Sequence, residues 1–151
     1  MSTVLDPGPL PFAALPAGLR ADRTLRTCLA VEIRPLSRAR FSLLRLELTE
    51  LSTLLSAPEA FLEARNGEAQ YQRVLRFAAL FAEGGETALP PLLVVRRPGF
   101  GWWVIDGLRR LSAAGVAGLP AVRAFELLNP DSADVVALSA EGRAARKPAS
   151  S

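Results

Sequence analysis

The chain of 151 residues has no histidine and only one cysteine, Cys28. Without histidine, a Ser-His-Asp or Cys-His catalytic unit, a His-based metal site and a histidine pH switch are all excluded. One cysteine allows neither an internal disulfide nor a multi-cysteine zinc or iron–sulfur site. A lone cysteine is typical of the reducing cytoplasm, where it is usually a small buried apolar residue. We therefore predict a cytoplasmic protein.

Long hydrophobic runs and lysine are also scarce. No stretch approaches the roughly 18 unbroken apolar residues of a membrane span, so we expect no membrane partner. Of the 18 basic residues only Lys147 is lysine, and the net charge is +3. Guanidinium groups match phosphate oxygens well, but codon bias explains an arginine excess equally. A charge of +3 over this length does not by itself indicate nucleic-acid binding.

Half of the chain is hydrophobic, and its length suits one domain with a sizeable core. The proline-rich residues 1–27 show no sustained periodicity and predict an irregular arm. Residues 28–128 form the predicted domain. Residues 129–151 are rich in small, polar and basic residues, which predicts a flexible basic tail.

Hydrophobic periodicity predicts a mixture of helices and strands. Residues 41–48 alternate between apolar and charged side chains, as a half-buried strand does. The same criteria predict helix-forming residues at 58–65, a helix over 70–83, a strand over 92–97, a central strand over 102–105, a helix over 108–116 and a last strand over 121–127. This order predicts an α+β fold in which one layer of helices packs on a small mixed sheet.

The most informative segment joins the strand at 102–105 to the following helix. Asp106 and Gly107 end the strand, and Arg109 and Arg110 lie in the first helical turn. Cations at a helix N-terminus are electrostatically unfavourable, so a bound anion would explain both arginines. Gly107 allows the backbone to approach such an anion closely. The alternative is that both arginines face solvent while Asp106 caps the helix.

The segment around this junction resembles a known family. It consists of Pro90-Pro91 and the strand 92–97, a short hairpin, Gly107-Leu108-Arg109-Arg110, an alanine-rich helix and a closing strand. This arrangement is similar to the N-terminal domain of ParB-type partition proteins, and the similarity extends over about 71–127. Sulfiredoxins, ParB-related free-serine kinases and plasmid fertility-inhibition proteins of the Osa type share that fold. The resemblance therefore implies a ParB/sulfiredoxin-like domain.

In this family the Gly-x-x-Arg region binds nucleotide phosphates, from CTP in partition proteins and from ATP or ADP in other members. The resemblance carries phosphate binding to Gly107, Arg109 and Arg110, and adds Asp106, Leu108 and Ser112 as lining candidates. It implies a nucleotide ligand, with or without Mg²⁺. It also implies a protein of a plasmid, phage or mobile element that acts through protein or non-specific nucleic-acid partners.

The sequence departs from the family at Leu108. Sulfiredoxins need a cysteine at this position, so sulfinic-acid reductase activity is excluded. Partition proteins usually carry glutamate there, so the usual CTP site is altered. The serine kinases use a histidine beside the arginine, and this chain has none. No catalytic residue is therefore assigned.

Two other functions remain open. One is a metal-dependent nuclease or nucleotide hydrolase (an ATPase or CTPase) in which Asp106 and Glu126, or glutamates earlier in the chain, supply oxygen ligands. The other is a degenerate scaffold that acts as an inhibitor or adaptor through Arg109 and Arg110. A separate basic run is expected to be a solvated face rather than a nucleic-acid track; it comprises Arg34, Arg38, Arg40 and Arg45.

Overall fold

A computed structural model describes residues 2–130, so the predicted tail lies almost entirely outside the described residues. The strands are β1 (Thr3–Pro11), β2 (Arg40–Glu47), β3 (Leu92–Arg97), β4 (Gly101–Asp106) and β5 (Ala121–Leu127). The helices are α1 (Ala17–Ala21), α2 (Arg23–Glu32), α3 (Gly67–Gly84) and α4 (Leu108–Val116). Short 3-10 turns, including Leu48–Leu54 and Pro58–Glu63, connect them. None of the helices within 2–130 has the length and apolar character needed to cross a membrane.

The described strands form one mixed sheet in the order β1-β2-β5-β3-β4. Of the described strands, only β3 and β5 pair in parallel. The predicted α+β class and mixed sheet are confirmed, and β3, α4 and β5 begin and end where the sequence predicts. The expectation that β4 is central is wrong. β3 pairs with β5 along one of its edges and with β4, its hairpin partner, along the other. No further described strand pairs with β4, which therefore lies at the edge of the sheet.

The expectation of an irregular N-terminal arm is also wrong. Residues 3–11 form β1, which pairs with β2 through a register interrupted by two irregularities. Proline lacks the N–H that a ladder needs, and an edge strand tolerates this loss. Nearly all of β1 is exposed, so no apolar alternation marks it in the sequence.

Helices cover both faces of the sheet rather than the single face expected. On one face α3 and α4 supply Val74, Phe81 and Leu111 to a core cluster. On the other, Leu25 and Leu29 of α2 pack in a second cluster with sheet residues. Helices α1 and α2 form the second layer. They begin within residues 1–27, for which the sequence predicts no regular structure. The sheet is therefore enclosed between two helical layers, and the loops between them can form a cleft.

Candidate functional site

A cavity of about 970 Å³ lies at the junction of β4 and α4. Five of the six predicted site residues line it, from Asp106 through Arg110. The sixth, Ser112, lies outside the cavity lining, and its hydroxyl donates to the Ser56 carbonyl at 2.7 Å. Ser56 is itself part of the wall, so Ser112 fixes the position of a lining segment.

Gly107 gives the junction its shape. Its φ is +115°, which L side chains rarely adopt. A Cβ atom there would lie 2.5 Å from Leu92 Cδ2 and 3.0 Å from Arg110 Nη2. Glycine therefore allows the Arg110 side chain and the start of β3 to pack directly against the backbone turn.

The first turn of α4 is open to a ligand. Among residues 2–130 no side chain caps this helix, and no acidic residue lies in its first turn. The first N–H groups of a helix have no intrahelical acceptor, and they carry the positive end of the helix dipole. The start of α4 therefore provides main-chain donors beside the cavity.

Arg110 is a buried structural residue. Its Nη1 donates to the carbonyls of Pro90 and Pro91 at 3.0 and 3.1 Å, and its Nη2 donates to Asp106 Oδ2 at 3.0 Å. Burial lowers the pKa of Arg110, and the Asp106 carboxylate partly offsets that effect. Asp106 thus holds this arginine and does not cap the helix. Together the two side chains attach α4 to the segment that leads into β3.

Arg109 is different, because it has no hydrogen bond or ion pair with any described residue. Its side chain is half-buried and lines the cavity. Burial and the nearby positive charge of Arg73 lower the pKa of Arg109, while Asp106 and Asp22 oppose that shift. A partly desolvated guanidinium without a partner is the cationic group best placed to receive an anion.

The cavity also contains carboxylates. Asp106 is paired with Arg110, and Asp22 caps α2 by accepting from the Leu25 N–H at 2.7 Å. Glu63 lines the wall contributed by the 3-10 turn Pro58–Glu63. Within residues 2–130, no three cysteine or carboxylate side chains are grouped as a metal site would require.

The two carboxylates suggested as metal ligands are not brought together. β3 lies between β4, which ends with Asp106, and β5, which carries Glu126. Glu126 lies 3.9 Å from Arg96, whereas Asp106 pairs with Arg110. Burial raises the pKa of Glu126, and the Arg96 charge partly offsets this. A metal centre built on Asp106 and Glu126 has no geometric support.

Sequence reasoning missed the opposite walls of the cavity. They include Leu19 and Asp22 from the N-terminal layer, Phe61 from the turn before α3 and Phe77 from α3. The sequence does contain a signal for the cap of α2, because an aspartate such as Asp22 directly before a helix is typical of an N-cap. Nothing in the local pattern, however, shows that α1 and α3 meet at the start of α4.

No protein-family model, curated protein or solved structure matches this chain. The ParB/sulfiredoxin-like fold therefore stays a prediction from the sequence at about 71–127.

Proposed function

We propose that this protein is a ParB-like domain that binds a nucleotide, or another phosphate-bearing ligand, in the cavity at the start of α4. The observation that carries the proposal is the position of Arg109. Its guanidinium lines the cavity without a described partner, beside the uncapped N-terminus of a helix. Both features attract phosphate, which accepts hydrogen bonds from a guanidinium fork and from main-chain N–H groups.

The residues around Arg109 have separate roles in this proposal. Gly107 lets phosphate oxygens approach the backbone, while the Asp106–Arg110 pair keeps the turn rigid. Leu108, Phe61 and Phe77 provide apolar wall for a base or sugar. The volume, about 970 Å³, suits a ligand of nucleotide size. CTP, ATP and ADP are the candidate ligands, with or without Mg²⁺.

The proposal describes a binding module and assigns no catalytic residue. By resemblance it belongs to a plasmid, phage or mobile element and acts through protein or nucleic-acid partners. Its lone cysteine suits the cytoplasm. Nucleotide hydrolysis and a nuclease activity are the alternatives, and an adaptor without a nucleotide is the third. Nucleotide hydrolysis and an adaptor without a nucleotide each give a different result in the following experiment.

We expect calorimetric titration to show saturable binding of CTP, ATP or ADP that Arg109→Ala weakens by roughly ten- to a hundredfold. This is the affinity equivalent of about 1.5–3 kcal/mol for a charge-assisted hydrogen bond. Arg76→Ala removes an exposed arginine from α3 and is the matched control, with affinity like that of the wild type.

Equal affinity in Arg109→Ala and the wild type would contradict the assigned phosphate contact. Absence of binding for all three nucleotides, with and without Mg²⁺, would overturn the nucleotide proposal and favour the adaptor. Metal-dependent turnover of a bound nucleotide would favour the enzyme.

A further inference from the structure

The segment that leads from α3 into β3, the proline strap (residues 86–91), forms part of the cavity wall. Leu89 and Pro90 of this strap line the cavity. Pro90 and Pro91 lack the main-chain N–H groups through which a chain segment is usually held. The carbonyls of the two prolines are therefore the main-chain groups that can fix this end of the strap.

Three arginines from three different elements hold the proline strap. Arg45 of β2 donates from Nε and Nη2 to the two carboxylate oxygens of Glu86, both at 2.8 Å. Arg123 of β5 donates from Nη2 to the Leu89 carbonyl at 3.1 Å. Arg110 of α4 donates to the carbonyls of the two prolines. The strap is thus attached at its start, in its middle and at its end.

The two arginines of the sheet lie directly opposite each other. Arg45 is the partner of Arg123 in the register of β2 and β5. Opposite residues of antiparallel strands extend on the same side of the sheet, where two like charges are unfavourable. The sheet alone gives no reason for two cations at this position, whereas the strap offers an acceptor to each. Arg123 is half-buried and its Nε is fully enclosed, which restricts the direction of its guanidinium.

We propose that Arg123 is a positioning residue for the cavity. By holding the Leu89 carbonyl, it fixes the strap wall and the proline carbonyls that orient Arg110. Arg123 lies outside the described lining of the cavity, so it acts without touching a ligand. Its effect on ligand affinity rests on the proposed function. Its effect on the first turn of α4 needs no ligand and is tested separately.

A short path connects this contact with the ligand-binding arginine. Pro90 directly follows Leu89, and its carbonyl accepts from Arg110 Nη1 at 3.0 Å. Arg110 is the neighbour of Arg109 in the first turn of α4. A displaced strap would take these acceptors away from Arg110 and lower the fraction of molecules in which Arg109 is correctly placed. The affinity for the ligand falls in proportion to that fraction.

The first test is calorimetric titration with CTP, ATP and ADP. Arg123→Met should weaken nucleotide affinity about two- to tenfold, the equivalent of one hydrogen bond of ordinary strength. Arg123→Lys should recover most of the affinity, because the Leu89 carbonyl accepts a single hydrogen bond that an ammonium group can also donate. Arg76→Met removes an exposed arginine of α3 and is the matched control, with affinity like that of the wild type. Wild-type affinity in Arg123→Met would overturn the proposal.

The second test is amide hydrogen exchange without nucleotide. Arg123→Met should speed exchange of the Leu111 N–H, which donates to the Gly107 carbonyl at 2.8 Å, about two- to tenfold relative to the amides of α2. Arg123→Lys should restore slow exchange. Equal acceleration at Leu111 and in α2 would overturn the proposal, because Arg123 would then only stabilise the fold as a whole.

A second variant covers the case in which Arg123→Met does not fold. Arg45→Gln loosens the start of the strap at a side chain that is 36% exposed, and it should also speed exchange at Leu111 more than in α2. Unchanged exchange at Leu111 in this variant would then overturn the proposal. If the wild type binds none of the three nucleotides, the proposed function fails, whereas the exchange measurement still decides whether Arg123 positions the start of α4.

Discussion

Replacing Arg97 with alanine should lower the free energy of unfolding by about 3–5 kcal/mol, the usual cost of breaking a buried ion pair. Arg97 Nη2 lies 2.6 Å from Glu32 Oε1, and the two side chains are 5% and 0% exposed. The variant would leave the Glu32 carboxylate buried without this cation. We expect the midpoint of thermal unfolding to fall by on the order of 10 °C.

The Glu32–Arg97 pair has a definite place in the fold. It joins α2 to β3, and the Arg97 guanidinium lies 5.4 Å from the centre of the Trp103 ring. A buried ion pair can often be replaced by apolar residues of similar volume with little loss of stability. Glu32→Leu/Arg97→Met should therefore recover most of the stability that each single substitution loses.

Arg96 provides the control for this experiment. It is the neighbouring residue on β3, but its side chain is 60% exposed and its contact with Glu126 spans 3.9 Å. Exposed pairs are worth roughly 0–1 kcal/mol, and the exposed Arg96 guanidinium also lies 4.1 Å from the centre of the Trp102 ring, a contact worth about 0.5–1 kcal/mol. Arg96→Ala should therefore cost well under the loss expected for Arg97→Ala. Equal losses for Arg96→Ala and Arg97→Ala in urea unfolding would contradict the assigned role of the buried pair.

Arg110→Ala should lower the free energy of unfolding by about 2–4 kcal/mol, because the buried Pro91 carbonyl and the partly buried Asp106 carboxylate both lose their donor. The substitution removes the donor to Pro90 and Pro91 and leaves Asp106 without its partner. Arg110→Lys should restore only part of the stability, since an ammonium group cannot reproduce the planar fork.

The adjacent Arg109→Ala is the comparison for this measurement. The Arg109 side chain has no described partner. Arg109→Ala should therefore lower the free energy of unfolding, measured in urea, by much less than Arg110→Ala does. Similar losses for the two variants would contradict the division between a structural arginine and a ligand-binding one.

The sequence predicted the elements that local signals define. β3, α4 and β5 are bounded by glycine and proline, and each contains an apolar run or an apolar period. β1 shows no apolar alternation, because nearly all of its residues are exposed, and its prolines are typical of irregular structure. The sheet order depends on pairing between distant segments, which a local period cannot specify. The local hydrophobic period therefore could not predict that β4 lies at the edge of the sheet.

The same distinction applies to the candidate site. Asp106-Gly107 before a helix is a local signal, and these residues do line a cavity. The sequence could not separate Arg109 from Arg110, because the acceptors of Arg110 are carbonyls about twenty positions earlier in the chain. Phe61 and Phe77 likewise reach the cavity only through tertiary packing. Side-chain roles at this site are set by contacts between distant segments.

The most direct test of the nucleotide proposal is amide NMR of the isotopically labelled protein during titration with CTP, ATP and ADP. Phosphate at the start of α4 should shift the amide resonances of Leu108, Arg109 and Arg110 most strongly and saturably, because those N–H groups would donate to it. The shifts should weaken in Arg109→Ala. Unchanged resonances at these three amides, with saturable shifts elsewhere or none at all, would contradict the proposed site.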